Sequence, residues 1–158
     1  MIEKRNNFFT EFDNYTYQAI VCTTNNVLNN KDELILGAGI ALEFKKQFTF
    51  LPRELGKRLI KLNAVYPSKY NPVLIITILN KKLIPFHIFT FPTKYHWKDQ
   101  SDMKLIENSA QKLLELCDIM GLEKILMTRP GCGNGGLKWE DVKPVISFLD
   151  DRFVVINK

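Results

Sequence analysis

The 158-residue chain predicts a three-layer α/β/α fold, with helices on both faces of a central mixed, mostly parallel sheet. Three observations lead there. Short apolar, β-rich runs alternate with amphipathic runs along the sequence. One pair of such runs is split only by Asn80, Lys81 and Lys82, which marks a hairpin and hence an antiparallel pair in the sheet. Two glycine-rich turns, LGAGIALEFKK (36–46) and RPGCGNGGLKWEDV (129–142), each lie between a strand-like and a helix-like run.

The elements follow in order. Residues 19–23 read as a short buried strand, and the polar stretch 25–33 as a loop. Residues 39–48 place Ile40, Phe44 and Phe48 on one helical face. Pro52 suits the first turn of a second helix running to about Leu62. Residues 73–79 and 83–89 form the hairpin strands. Residues 102–120 make a long helix with Leu105, Ala110, Leu113, Leu114 and Cys117 in its apolar stripe, and Gly121 supplies its stop. Residues 124–127 form a strand that enters the second glycine turn. A helix over 139–149 then turns Val142, Val145, Ile146 and Leu149 inward, and a strand over 153–156 closes the sheet. The length, with no repeat or linker, predicts a single domain over 1–158.

Composition is that of an ordinary globular chain, with 46% hydrophobic and 25% charged residues. No apolar run approaches the roughly 18 residues of a membrane span. The opening MIEKRNNFF lacks a signal segment, so a cytoplasmic protein with no membrane partner is expected, acting as a monomer. Three cysteines without a CxxC, and only His87 and His96, predict no disulfide framework, no metal and no cofactor. The net charge of +5 suits a weak attraction to nucleic acid or anionic ligands, although the basic runs are short and read as solvated faces.

The glycine turns carry the chemistry. Glycine lets backbone N–H groups approach a ligand, and a helix starting just beyond adds unpaired N–H groups and a positive dipole end. Two such cradles at the carboxyl edge of one sheet point to a ligand with two phosphates, a nucleotide diphosphate. The first turn is not a dinucleotide fingerprint, because Leu42 stands where a third small residue belongs. The second is not a Walker loop, because Leu137-Lys138 replaces the Gly-Lys-Ser/Thr ending. Cys132 has no general base at a telling spacing and reads as a small apolar residue of the turn. Lys94, in FPTKYHWKDQSD (91–102), is a solvated loop lysine, a phosphate counter-charge or a nucleophile. Asn25 and Asn26, just past a strand end, suit either ribose hydroxyls or a turn.

Taken together, these segments resemble the macrodomain family, which binds ADP-ribose, over nearly the whole chain. KRNNFF looks like the opening strand, AIVCTTN like the second strand and its Asn-bearing end, LGAGIALEFKKQF like the first phosphate loop, and RPGCGNGGLKWEDVKP like the second. FPTKYHW and GCGNGGLKWE are most similar to antitoxin-like bacterial and phage members, in the branch that also holds mammalian terminal ADP-ribose glycohydrolase.

The resemblance implies adenine near Asn7 and Phe8 and the distal ribose at Asn25, with Asn26 also among the ADP-ribose-binding residues. It puts the diphosphate between Gly37, Ala38, Gly39, Ile40 and Ala41 on one side and Gly131, Cys132, Gly133, Asn134, Gly135 and Gly136 on the other, with Pro130 and Leu137 also among the ADP-ribose-binding residues. Lys94 matches the branch's lysine implicated in attack at the distal ribose. Gly135 stands where the mammalian enzyme has a catalytic Asp, Asn6-Asn7 replaces the usual Gly-Asp, and NVLNNKDELI lengthens the first loop. The implied activity is removal of ADP-ribose from nucleic acid or protein. The alternatives are a non-catalytic binder of ADP-ribose or a related nucleotide signal, and a phosphatase acting on ADP-ribose 1″-phosphate. The implied partners are ADP-ribose and ADP-ribosylated nucleic acid or protein.

Overall fold

The computed structural model describes residues 1–13, 15–65 and 71–157. Its elements are β1 (Ile2–Arg5), α1 (Phe8–Glu11), β2 (Ala19–Thr24), α2 (Gly39–Gln47), α3 (Leu51–Val65), β3 (Ile75–Leu79), β4 (Pro85–Pro92), α4 (Met103–Met120), β5 (Ile125–Thr128), α5 (Trp139–Val145) and β6 (Phe153–Asn157). The strands form one six-stranded sheet in the order β1-β6-β5-β2-β4-β3. Every pairing is parallel except the β3–β4 hairpin. The predicted mixed, mostly parallel sheet is therefore present.

Side chains of the central strands alternate between two cores, as a period of two requires. Ile20 and Cys22 of β2 face a cluster with Phe8, Phe44, Leu55 and Leu59 from α1, α2 and α3. Ala19 and Val21 face the opposite cluster, with Ile106, Ala110, Leu113 and Cys117 of α4 and Val142 of α5. Helices thus cover both faces. Among the described residues, no helix is long and apolar enough to cross a membrane.

Local side-chain chemistry moves several boundaries. The strand expected across KRNNFF ends at Arg5, because Asn7 caps α1: its Oδ1 accepts from the N–H groups of Phe9 (3.1 Å) and Thr10 (3.3 Å). The hairpin turn is wider than three residues. Asn80 Oδ1 accepts from the N–H groups of Lys82 and Ile84, and Leu83 has φ +60°, so β4 begins at Pro85 rather than Leu83. β4 then continues to Pro92, which carries the strand end close to Lys94. Helix α4 has its expected ends: Asp102 Oδ1 accepts from Leu105 N–H at 2.7 Å, and Gly121 is left-handed at φ +65°. Helix α5 stops at Val145 rather than Leu149, because Ile146 leaves helical geometry at φ −111° and ψ 17°; Leu149 is still buried, through a turn in which its N–H donates to Ile146 carbonyl at 3.1 Å.

The long first loop is folded onto α3. Leu34 N–H donates to Pro52 carbonyl at 2.9 Å, Leu34 and Leu36 are buried, and Asn29 Oδ1 gathers the N–H groups of Lys31 and Glu33. Gly56 permits this approach: a Cβ there would lie 1.9 Å from the carbonyl oxygen of Asp32.

Candidate functional site

The parallel strands bring their carboxyl ends to one edge of the sheet. Thr24 of β2 is in register with Pro92 of β4, and Thr128 of β5 with Ile156 of β6. The segments that follow these ends enclose a cavity of about 1060 Å³, the size of a substantial small-molecule site. Its lining includes Gly37–Ala41, Gly131–Gly135, Lys94 and Asn25, with Phe8, Ile156 and Asn157 also on its wall.

The first glycine loop ends at the start of α2. Ala38 caps that helix with no side-chain hydrogen bond, so among the described residues the N–H groups of Gly39, Ile40 and Ala41 have neither an intrahelical partner nor a cap. These donors and the helix dipole together favour an anion. The helix is seated by Phe44, which is fully buried with its ring 5.4 Å from Phe8 and 5.2 Å from Phe9.

The second loop turns through left-handed glycines: Gly131 (φ +75°), Gly133 (φ +73°) and Gly136 (φ +75°), with a 3₁₀ turn over Gly133–Gly135. Among the described residues, the N–H groups of Gly133 and Asn134 have no backbone carbonyl partner. Leu137 N–H donates to Gly131 carbonyl at 3.1 Å and closes the loop on itself. The two loops meet: a Cβ on Gly39 would lie 3.1 Å from Nδ2 of Asn134. They therefore form two walls of one crevice, as a diphosphate cradle requires.

Lys94 joins this junction. Its Nζ donates to the carbonyl of Asn134 at 2.9 Å. The segment that carries it is laced to both neighbours. Thr93 N–H donates to Thr24 carbonyl (3.0 Å), Asp102 N–H to Thr93 carbonyl (2.9 Å), and Ser101 N–H to Gly135 carbonyl (2.9 Å). Ser101 also explains Gly135: a Cβ there would fall 2.3 Å from the Ser101 hydroxyl, which is buried with no hydrogen-bond partner among the described residues. Asn25 lines the cavity, and its Oδ1 accepts from Val27 N–H (3.0 Å) in an Asx turn.

Cys132 lines the cavity, but burial pushes its thiol pKa up, and its Sγ donates to Pro130 carbonyl at 3.7 Å. A thiol held protonated is a poor nucleophile, in keeping with a packing role. Arg129 and Trp139 form a second part of the wall. The guanidinium lies 5.0 Å from the Trp139 ring centroid, and Glu3 accepts from both Arg129 (2.9 Å) and Trp139 Nε1 (3.0 Å). Glu3 is held below the usual carboxylate range by Lys143 first, then by Arg129 and Trp139.

Five expected site residues do not line the cavity. Asn7 is committed to capping α1. Asn26 sits at φ +52° and braces two other segments: its Oδ1 accepts from the Thr24 hydroxyl (3.2 Å) and its Nδ2 donates to Pro72 carbonyl (3.1 Å). Pro130 is buried behind the loop, Gly136 faces Gln100, and the Leu137 side chain packs against Gly131. Conversely, Thr24, Trp97, Ser101, Arg129, Trp139 and Asn157 line the cavity unpredicted. Thr24 and Asn157 end strands at the same edge as the glycine loops, which was the one signal for them in the sequence.

The Macro domain family profile matches residues 21–146. A DNA ADP-ribosyl glycohydrolase of Thermus aquaticus is 28% identical over 130 residues, which is 80% of this chain and 32% of that protein. A protein of the same name from Mycobacterium tuberculosis is 30% identical over 109 residues, 69% of this chain and 30% of that protein. The chain thus spans about a third of the length of these curated relatives. Among solved structures, the macrodomain of Thermus aquaticus DarG superposes with a TM-score of 0.74 at 23% identity, covering 99% of this chain and 97% of that one. The macrodomain of Mycobacterium tuberculosis DarG gives 0.70 at 26% identity, covering 89% and 88%. Thermosipho africanus DarTG in complex with ADP-ribose gives 0.76 at 21% identity, covering 98% of this chain and 41% of that one. With a profile that spans most of its length and a fold matched from end to end, the chain belongs to the Macro domain family.

Proposed function

We propose that this chain binds ADP-ribose between its two glycine loops and hydrolyses it from a nucleic-acid adduct, with Lys94 as the nucleophile. The observation that carries the reading is the contact of Lys94 Nζ with Asn134 carbonyl, at the point where both loops meet. A diphosphate gripped there sets the distal ribose beside an amine. Relatives named DNA ADP-ribosyl glycohydrolase support the choice of nucleic acid over protein, and the net charge of +5 agrees with it.

In this reading the N–H groups of Gly39, Ile40, Ala41, Gly133 and Asn134 take the phosphates, and Asn25 offers its NH₂ to the distal ribose. Adenine lies toward Phe8, Ile156 and Asn157. The lone pair of the unprotonated Lys94 amine forms a bond to the anomeric carbon as the carbon–base bond breaks. The base leaves with that electron pair and takes up a proton. Water then hydrolyses the lysine-bound sugar, releasing ADP-ribose and restoring the amine. Covalent capture divides one difficult substitution into two easier ones. Fixed N–H groups hold the diphosphate as charge develops on the sugar. Ser101 fills the space beside Gly135, where the resemblance places an Asp in the mammalian enzyme, so the lysine route is the one with a group in place.

The test is a hydrolysis panel of defined linkages: ADP-ribose on thymine or guanine in DNA, on glutamate in a peptide, and as the 1″-phosphate. The parent is expected to cleave a base-linked adduct. Lys94→Ala is expected to bind ADP-ribose as the parent does and to cleave nothing. Equal turnover by the variant ends the lysine mechanism. Binding without cleavage in every arm makes the chain a reader of ADP-ribose.

A further inference from the structure

The segment that carries Lys94 has two sides. Lys94 and Trp97 line the main cavity, whereas Tyr95 lines a separate groove of about 230 Å³. That groove is bounded by Asn71, Pro72 and Val73 before β3 and by Leu105 and Asn108 of α4. We infer that it is a subsite for one base of single-stranded nucleic acid, stacked on Tyr95 and adjacent to the base that bears ADP-ribose.

Four observations support this assignment, which rests on the hydrolase reading above for its substrate. Tyr95 is 56% exposed, so its ring is open to a stacking partner. Asn71 and Asn108 flank it, and neither side chain is hydrogen-bonded within the described residues. A carboxamide offers both donor and acceptor and matches the edge of a base, while a ring face accepts any base by stacking. The groove is smaller than the roughly 300–1,000 Å³ of a site for a whole small ligand, and suits one ring system. Lys112 also lines it but is paired with Glu115 at 2.9 Å, so recognition here falls to the ring and the amides.

The groove is also tied to the main site. Asn26 donates to Pro72 carbonyl at 3.1 Å, which fixes one groove wall to the end of β2, beside Asn25. Thr93 N–H donates to Thr24 carbonyl at 3.0 Å and holds the dividing segment in place. A strand whose modified base sits at Lys94 crosses that segment on leaving the cavity and meets Tyr95 next. The base must be unpaired, since stacking on Tyr95 requires both a free face and a free edge.

The test compares three proteins, the parent, Tyr95→Ala and Tyr95→Phe, in two assays. The first measures kcat/KM on a single-stranded oligonucleotide with one ADP-ribosylated base and on the same ADP-ribosyl nucleoside without flanking nucleotides. The second measures anisotropy of the unmodified, fluorescently labelled oligonucleotide at moderate salt. Tyr95→Ala is expected to lose about tenfold in kcat/KM on the oligonucleotide, the scale of one lost stack, with the nucleoside unaffected. Tyr95→Phe, which keeps the ring, is expected to restore the parental value. Parental turnover of the oligonucleotide by Tyr95→Ala, or an equal loss on both substrates, overturns the subsite. If the parent cleaves neither substrate, the hydrolase reading fails by itself and anisotropy decides the subsite. Binding weakened several-fold in Tyr95→Ala and restored in Tyr95→Phe upholds it; identical affinities overturn it.

Discussion

Replacing Gly131 by alanine should destabilise the protein far more than the same change at Gly133, two positions along the same loop. Both glycines are left-handed, at φ +75° and φ +73°, so each substitution carries about 1–2 kcal/mol of backbone strain. Their surroundings differ. A Cβ on Gly131 would stand 2.6 Å from Ile106 Cδ1, 3.0 Å from Leu137 Cδ1 and 3.2 Å from Ser101 Cβ, whereas one on Gly133 meets nothing within 4 Å. Ile106 is fully buried and cannot swing aside, so overpacking adds about 1–3 kcal/mol at Gly131 alone. The sum is about 2–5 kcal/mol for Gly131→Ala against about 1–2 for Gly133→Ala. For a chain of this size each kcal/mol moves the melting temperature by roughly 2–4 °C. Urea and thermal unfolding followed by far-UV circular dichroism measure both variants against the parent. Equal shifts would refute the claim that Gly131 is fixed by its packing and Gly133 by its conformation only.

Two further outcomes follow from the same geometry. Gly135→Glu forces a side chain into the Ser101 hydroxyl, 2.3 Å from its Cβ, and should displace the loop enough to weaken ADP-ribose binding at least tenfold by calorimetry; an unchanged affinity would mean that this loop does not touch the ligand. Glu11 has its pKa lowered from 4.5 to about 2 by Lys4 first, then by Tyr17 and Asn6. Its stabilisation is therefore full above pH 4.5 and is lost as the pH falls from there toward 2. The melting temperature of Glu11→Gln should fall less than that of the parent between about pH 5 and pH 3, and equal falls would rule this linkage out.

The sequence made the frame and the phosphate loops legible because their signals are local. Alternating apolar runs mark the strands, and glycines at strand-to-helix junctions mark the cradles, since both depend on neighbours in the chain. The placement of Asn7 and Asn26 was not legible. An asparagine serves a cap, a brace or a ligand equally well, and the choice is made by what lies across the fold: the free N–H groups of α1 for Asn7 and the Pro72 carbonyl, 46 residues away, for Asn26. Arg129 and Trp139 carry no local signal for the same reason. They form one wall only because Glu3, more than 120 residues earlier, holds both. The strand limit at Leu83 and the helix limit at Leu149 moved because single residues, Leu83 at φ +60° and Ile146 at φ −111° and ψ 17°, outweigh the apolar pattern around them.

The grip of both glycine loops on a diphosphate is tested most directly by following backbone amide resonances during titration with ADP-ribose. The largest saturable shifts are expected at Gly39, Ile40 and Ala41 and, with the same binding constant, at Gly133 and Asn134. Saturable shifts confined to one loop, or an ADP-ribose complex that leaves all five amides unmoved, would contradict the cradle and with it the chemistry assigned to Lys94.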